Sequence, residues 1–230
     1  MNLNKSTLSE QIYQILRSDI LTQKIPLGEK LTLKHLQERF EVSSTPIREA
    51  LTRLSQDGLV DYYSNIGVNV ISLSEDDLKE LYQFMGDLDR LAILYTAGHP
   101  EHEAICKELQ DAVSVTEKLQ NCQDMPEELT SLWIKNSDDF HLIFYKYCNN
   151  RKLKTAAETL RSQLTIFSNI YETKQEPQKE IHRMHVKIFE AYKAGAYAEA
   201  GDLMKEHLNA SLEFALKSFP DMNDLNQRDR

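Results

Sequence analysis

The chain has 230 residues, with 27 Lys and Arg against 36 Asp and Glu, for a formal net charge of −9. This length serves one large or two modest domains, and no apolar run approaches the ~20 residues that a bilayer span needs. The opening MNLNKSTLSEQ lacks an apolar signal core, and Cys106, Cys122 and Cys148 are scattered without metal-type spacing, so a reduced cytoplasmic setting with packing cysteines is expected.

Ile12, Ile15, Leu16 and Ile20 predict a first helix that closes a small core. Leu33, Leu36 and Phe40 give a second helix one apolar face, and Val42 is the expected buried residue of the turn that follows. Ser43, Ser44 or Thr45 can cap a third helix, with Pro46 in its first turn, where a missing N–H costs nothing. Ile47, Ala50, Leu51 and Leu54 form its inward face and Gly58 ends it. Residues 59–63 and 68–71 read as two strands around Asn65-Ile66-Gly67, with Gly67 free to take a positive φ. Two short helices, a tight turn and a hairpin outline a winged helix-turn-helix, which offers its second helix to the DNA major groove. A purely structural helical hairpin would share the pattern.

A boundary is expected near Ser72-Leu73-Ser74, with Ser74 as the cap of the next helix and Asp77 three residues on. Leu78, Leu81, Met85, Leu88, Ala92 and Tyr95 recur at helical spacing until Gly98-His99-Pro100. Further helices are expected over about 101–119, from Pro126 to Tyr147, and along Leu153, Ala157, Leu160, Leu164, Phe167 and Tyr171. A fifth runs from Pro177 to Gly195 and a sixth from about Tyr197 to Ser218. Six amphipathic helices without a strand pattern read as an antiparallel bundle. The fold class is therefore mainly α: a winged helix-turn-helix over 1–73, a helical bundle over 74–220, and a flexible tail over 221–230.

The charge divides along the same line. Residues 1–74 hold 8 basic and 8 acidic side chains, which leaves 19 basic and 28 acidic ones in 75–230. A neutral head still binds phosphate where its cations share a face, as Lys34, Arg48 and Arg53 can. An acidic body repels DNA and helps to orient the head.

Three histidines stand at inward positions of the bundle. His141 shares a stripe with Ile134, Asp138, Tyr145 and Cys148; His185 lies between Ile181 and Ile188; His207 follows Ala200 and Leu203. Each could be a satisfied core residue. Three on separate helices can also converge on one ion, and imidazole suits Zn, Ni, Cu or Fe, with Mn possible if a carboxylate joins. His35, His99 and His102 are expected at the surface, and Trp133 in the core or at a dimer surface.

The run STPIREALTRLSQDGLV (Ser44 to Val60) resembles the recognition-helix signature of the GntR family, and Pro26 to Leu31 resembles that family's segment between its first two helices. Asp138 to His141, Met184 to Ala191 and Met204 to Leu208, with histidine intervals of 44 and 22 residues, resemble the three histidine motifs of the FCD ligand-binding domain in the FadR branch. The resemblance implies a homodimeric, cytoplasmic transcription regulator on a pseudo-palindromic double-stranded operator, with no membrane partner. It also implies a divalent metal (Zn, Ni or Mn) that helps to hold a small organic-acid effector, with His141, His185 and His207 as ligands.

Three departures shape the expected sites. The family's acidic ligand stands four residues before the first histidine, here Ser137; a hydroxyl is a poor ligand, so Asp138 is expected to replace it. An Arg and a Glu four residues apart in the first bundle helix are here Met85 and Asp89. The effector pocket is therefore placed at Met85, Asp89 and Arg161, with Arg90 or Arg161 as a relocated cation and a less anionic effector. Ser44 stands where relatives carry a guanine-reading Arg, so base readout falls to Thr45 and Arg48. Ser43 and Lys34 take phosphates, and Ser44, Arg53 and Gly67 complete the DNA face. Two other functions fit the same residues less fully: a constitutive DNA-binding regulator without metal, and a metal-dependent enzyme. The latter lacks an evident general base and leaves the head unexplained.

Overall fold

The computed structural model describes residues 7–63, 67–120, 122 and 125–228. Two compact units divide the chain: residues up to Ser74 with Glu158–Ile166 and the end from Asp221, and Glu75–Ala157 with Phe167–Pro220.

The first unit begins with α1 (Leu8–Leu21), whose free backbone donors are met by Thr7, the side chain of which accepts from the Glu10 N–H at 3.2 Å. Ile12, Leu16 and Ile20 are buried, whereas Ile15 is 44% exposed rather than part of the core. At about 100° per residue, Ile15 falls roughly 100° from the middle of the stripe that the other three define. Next come β1 (Lys30–Leu31), α2 (Leu33–Phe40), α3 (Ser44–Gln56), β2 (Val60–Tyr63) and β3 (Gly67–Val70). The strands form an antiparallel sheet in the order β1-β3-β2, with Leu31 opposite Val68 and Tyr63 opposite Gly67. β1 was absent from the sequence reading because two residues carry no alternation. Gly67 has φ +118°, a conformation side chains rarely adopt, while Asn65 and Ile66 lie outside the described residues.

Glu41, with φ +54°, turns α2 sharply into α3, and Val42 is half-buried rather than buried. Charged contacts tie the three helices: Arg39 donates to Asp19 at 2.5 Å, and the Tyr13 hydroxyl donates to Asp57 Oδ2 at 2.5 Å. Burial first, and then the Asp57 hydrogen bond, push the Tyr13 hydroxyl up to about 12.

After Ser74 come α4 (Glu75–Tyr95), α5 (His102–Leu119), α6 (Glu127–Tyr147), α7 (Arg151–Tyr171), α8 (Gln175–Lys193) and α9 (Tyr197–Arg228), which make up the second unit except for Glu158–Ile166 of α7 and the end of α9 from Asp221. Asn150 caps α7, accepting from the Lys152 and Leu153 N–H groups at 3.1 Å. α9 runs to Arg228, past the expected end near Ser218. Leu78, Leu81, Met85, Leu88 and Ala92 are buried along α4, and Trp133 is wholly buried on α6; Tyr95 is half exposed. Of the cysteines expected to pack, Cys148 is buried, Cys106 half-buried and Cys122 exposed. α9 approaches α4 closely at Gly201, where an added Cβ would lie 2.9 Å from Arg90 Cγ. Arg90–Asp202 (2.8 Å) and Lys205–Asp87 (2.5 Å) join the same two helices at the surface. Among the described residues no helix is long and apolar enough to cross a membrane.

Candidate metal centre and nucleic-acid interface

α3 turns Ile47, Ala50, Leu51 and Leu54 inward. The opposite face is therefore Thr45, Arg48, Glu49 and Thr52, all exposed. Ser43 stands at the N-cap but makes no side-chain cap hydrogen bond, which leaves its hydroxyl to an incoming acceptor. Ser44 is half-buried at the first turn, and Lys34 on α2 is highly exposed with only a 4.0 Å approach to Glu38.

Arg53 departs from expectation. Its guanidinium is paired with Glu10 and lies 3.9 Å over the Tyr13 ring, so it clasps α3 to α1 instead of projecting beside Arg48. Glu49 was missed: its spacing of one residue from Arg48 and four from Thr45 puts all three on one exposed face. There a carboxylate can accept from a cytosine amino group and repel other bases.

In the second unit α6, α8 and α9 converge three buried imidazoles. His185 Nε2 lies 3.3 Å from His141 Nε2 and 3.2 Å from His207 Nε2, and the side chains are 1%, 4% and 4% exposed in the order His185, His141, His207. Phe140 stacks on His185 at 4.2 Å and closes one side. Asp89 of α4, 1% exposed, accepts the His141 Nδ1–H at 2.7 Å and the Tyr145 hydroxyl at 2.6 Å. A carboxylate that accepts from Nδ1 fixes a proton there, and a neutral ring in that tautomer turns its Nε2 lone pair toward the other two.

The donor set fits a divalent ion. Tetrahedral bonds of about 2.0–2.1 Å place ligand nitrogens about 3.3–3.4 Å apart, close to the two separations from His185, and all three ligand atoms lie within 4.8 Å of one another. His185 Nε2 carries at most one proton and faces two nitrogens, which a shared cation would satisfy better than hydrogen bonds can. Among the described residues these three histidines are the group of metal-type ligands within reach of one another.

Asp138, expected as the fourth ligand, is not in that group. It is half-buried, while Ser137 is 4% exposed. The inward face of α6 runs through Trp133, Ser137 and His141, so the i−4 position turns in and the i−3 position turns aside. The stripe drawn through Ile134 and Asp138 was thus misplaced by one residue. Of the expected effector-pocket set, Met85 and Asp89 are buried one turn apart on α4, and Arg161 is buried on α7.

The Asp89 role was the other omission, and its signal was a carboxylate flanking the buried positions Met85 and Leu88 of α4, which demands a buried partner. His182, buried one turn before His185, approaches the Thr116 hydroxyl at 3.0 Å, and burial holds its imidazole below the ordinary value. His99 and His102, expected at the surface, are half-buried.

Comparison with known proteins gives the family and the fold. The family described as bacterial regulatory proteins, gntR family, matches residues 8–70, and the FCD domain matches residues 80–210. The chain is 25% identical to the HTH-type transcriptional regulator BphR of Paraburkholderia xenovorans over 91% of its own length and 85% of that protein. It is 25% identical to the HTH-type transcriptional repressor GlaR of Escherichia coli over 85% and 90%. The solved structure of E. coli McbR/YncC superposes with a TM-score of 0.70 at 19% identity, covering 94% of this chain and all of that one, a likeness of fold.

Proposed function

Because the chain belongs to the GntR family of bacterial regulatory proteins and carries an FCD domain, we propose that an organic-acid effector, held with a divalent metal in the helical part, controls its operator affinity. It is a GntR-family transcriptional regulator. The head over 1–73 binds DNA, and the helical domain over 74–220 binds effector and pairs two copies. A homodimer sets two α3 helices about 34 Å apart, one turn of a pseudo-palindromic operator. Thr45, Arg48 and Glu49 read bases; Lys34, Ser43 and Ser44 hold phosphates, with Gly67 in the wing. The effector shifts the balance between two dimer states by binding one better.

The observation that carries the reading is the convergence of His141, His185 and His207 in the interior. His141, His185 and His207 would hold the ion, which supplies a fixed positive charge for a carboxylate in a low-dielectric site. Two measurements test the proposal. Selection from random duplexes should enrich a two-fold symmetric sequence with half-sites about one turn apart, and elemental analysis of the purified protein should find about one divalent ion per chain. Enrichment of an unsymmetrical site would remove the dimeric reader. Absence of metal after incubation with Zn, Ni and Mn would leave the histidines as polar lining.

A further inference from the structure

Asp89 is the buried carboxylate nearest the histidine cluster, yet it touches that cluster from the wrong side to be a ligand. It meets His141 at Nδ1, whereas the Nε2 atoms of His141, His185 and His207 face one another. An ion bound at His141 Nε2 lies across the ring from Nδ1. With Asp89 Oδ2 2.7 Å beyond Nδ1, direct coordination would require the carboxylate to leave both His141 and Tyr145. Resting on the metal reading above, we propose that Asp89, clamped by the Tyr145 hydroxyl, is the positioning carboxylate of this centre. Three neutral imidazoles hold the ion with no carboxylate in contact with it.

Several observations support this arrangement. Both oxygens of Asp89 are engaged: Oδ2 takes His141 and Oδ1 takes Tyr145, which leaves the carboxylate little freedom to rotate. Asp89 comes from α4 while His141 and Tyr145 lie on α6, so the pair also fixes the ring against a second helix. Negative charge behind the ring raises the basicity of the inward nitrogen and stabilises the positive charge that arrives on metal binding. One turn before His141, α6 buries the Ser137 side chain, whereas Asp138 is half-buried and outside the histidine group.

An all-nitrogen set has a chemical consequence. Imidazoles without carboxylate favour Zn, Ni and Co over Mn and Mg, which prefer oxygen. The centre should therefore discriminate strongly against Mn, and the open positions on the ion remain for water or an effector's oxygen.

The test is competition for Zn and for Mn against a chelating dye, with wild-type protein and the variants Asp89→Asn, Tyr145→Phe and Asp138→Ala. Asp89→Asn should weaken Zn binding about 10–100-fold and Tyr145→Phe about tenfold, the range for lost outer partners of ligating histidines. Asp138→Ala should leave it unchanged, and wild type should bind Zn far more tightly than Mn. Nitrogen NMR of the histidine rings in metal-free protein gives an independent readout. His141 should be protonated on Nδ1 in wild type and lose that preference in Asp89→Asn, and Asp89→Ala serves the same measurement if Asp89→Asn does not fold. Equal Zn affinity in wild type and Asp89→Asn, loss of metal in Asp138→Ala, or tight Mn binding overturns the assignment of Asp89 while leaving the centre itself in place. A wild-type protein that takes up no metal overturns both.

Discussion

Gly201→Leu should weaken metal binding at the proposed centre although a Cβ at residue 201 would meet Arg90 rather than a histidine. An added Cβ at this position lies 2.9 Å from Arg90 Cγ, 3.6 Å from the Arg90 carbonyl oxygen and 3.8 Å from its Cα. The first of these can yield, because Cγ belongs to a flexible side chain; the other two are backbone. Gly201→Ala therefore asks only that Arg90 swing aside. That loses the surface pair with Asp202, worth at most about 1 kcal/mol, and regains about 1 kcal/mol of helix propensity, so its net effect is near zero. Leucine adds atoms about 1.5 Å and more beyond Cβ, which would meet Arg90 backbone and push α9 away from α4 by roughly 1 Å. His207 rides on α9, and ligand distances tolerate only about 0.2 Å, so Zn affinity should fall tenfold or more. Overpacking itself should cost about 1–3 kcal/mol. Dye competition and urea unfolding of both variants check this. A Gly201→Leu protein with wild-type Zn affinity would refute the claim that the α4–α9 approach sets the position of His207.

The head and the buried histidine beside the centre offer further tests. Arg48→Ala should weaken selected-operator binding by about 1–3 kcal/mol and relax its sequence preference, whereas Lys34→Ala should weaken all duplexes alike and flatten the salt dependence by about one unit; anisotropy titrations at several salt concentrations separate the two. Arg53→Ala should lower the thermal midpoint of the head and leave the salt slope unchanged, because its partners are Glu10 and Tyr13; a slope reduced by one unit with an unchanged midpoint would return it to the DNA face. Burial holds the His182 imidazole below 6.5, against a weaker opposing pull from Glu117. The unfolded chain thus takes up the proton first, and the stability owed to the neutral ring is full above pH 6.5 and lost as pH falls below it. Metal-free His182→Phe should lose less stability than wild type between pH 7 and about pH 5, and parallel acid-unfolding curves would count against this.

The helices were legible because each carries an apolar stripe bounded by a strong stop. Gly98-His99-Pro100, Pro126 and Gly195 punctuate the chain within a residue or two of where the helices break. β1 was not legible, since a two-residue strand owes its place to β3 and not to its own pattern. At the site, the three histidines were readable as polar residues at inward positions, and the family resemblance weighted them as a set. What failed was angular detail. Ser137 and Asp138 differ by about 100° around α6, and apolar spacing alone fits a stripe through Ile134 almost as well as one through Trp133. The pairing of Arg53 was hidden for a similar reason: an exposed-looking cation on α3 is drawn to Glu10 and Tyr13, which lie 43 and 40 residues earlier in the chain. The contact of Asp89 with His141 was not legible, because a single sequence does not say which ring nitrogen a buried carboxylate meets.

The composition of the head bears on how regulation can work. With 8 basic and 8 acidic residues it has no net charge to draw it onto DNA, and its outward α3 face sets Arg48 beside Glu49. Arg39 and Arg53, which could have added to a basic face, are spent on Asp19 and Glu10. A single head that made few phosphate contacts would bind weakly at physiological salt. Two heads joined in one dimer gain by effective concentration, a factor of about 10²–10⁴ that depends on whether both reach their half-sites together. An effector in the helical domain then has no need to alter α3 or any base contact. A change in the separation or mobility of the two heads is enough, and its ceiling is that same factor. The acidic excess of residues 75–230 works in the same direction, because it penalises every arrangement in which the helical domains come near the phosphates and so narrows the productive ones.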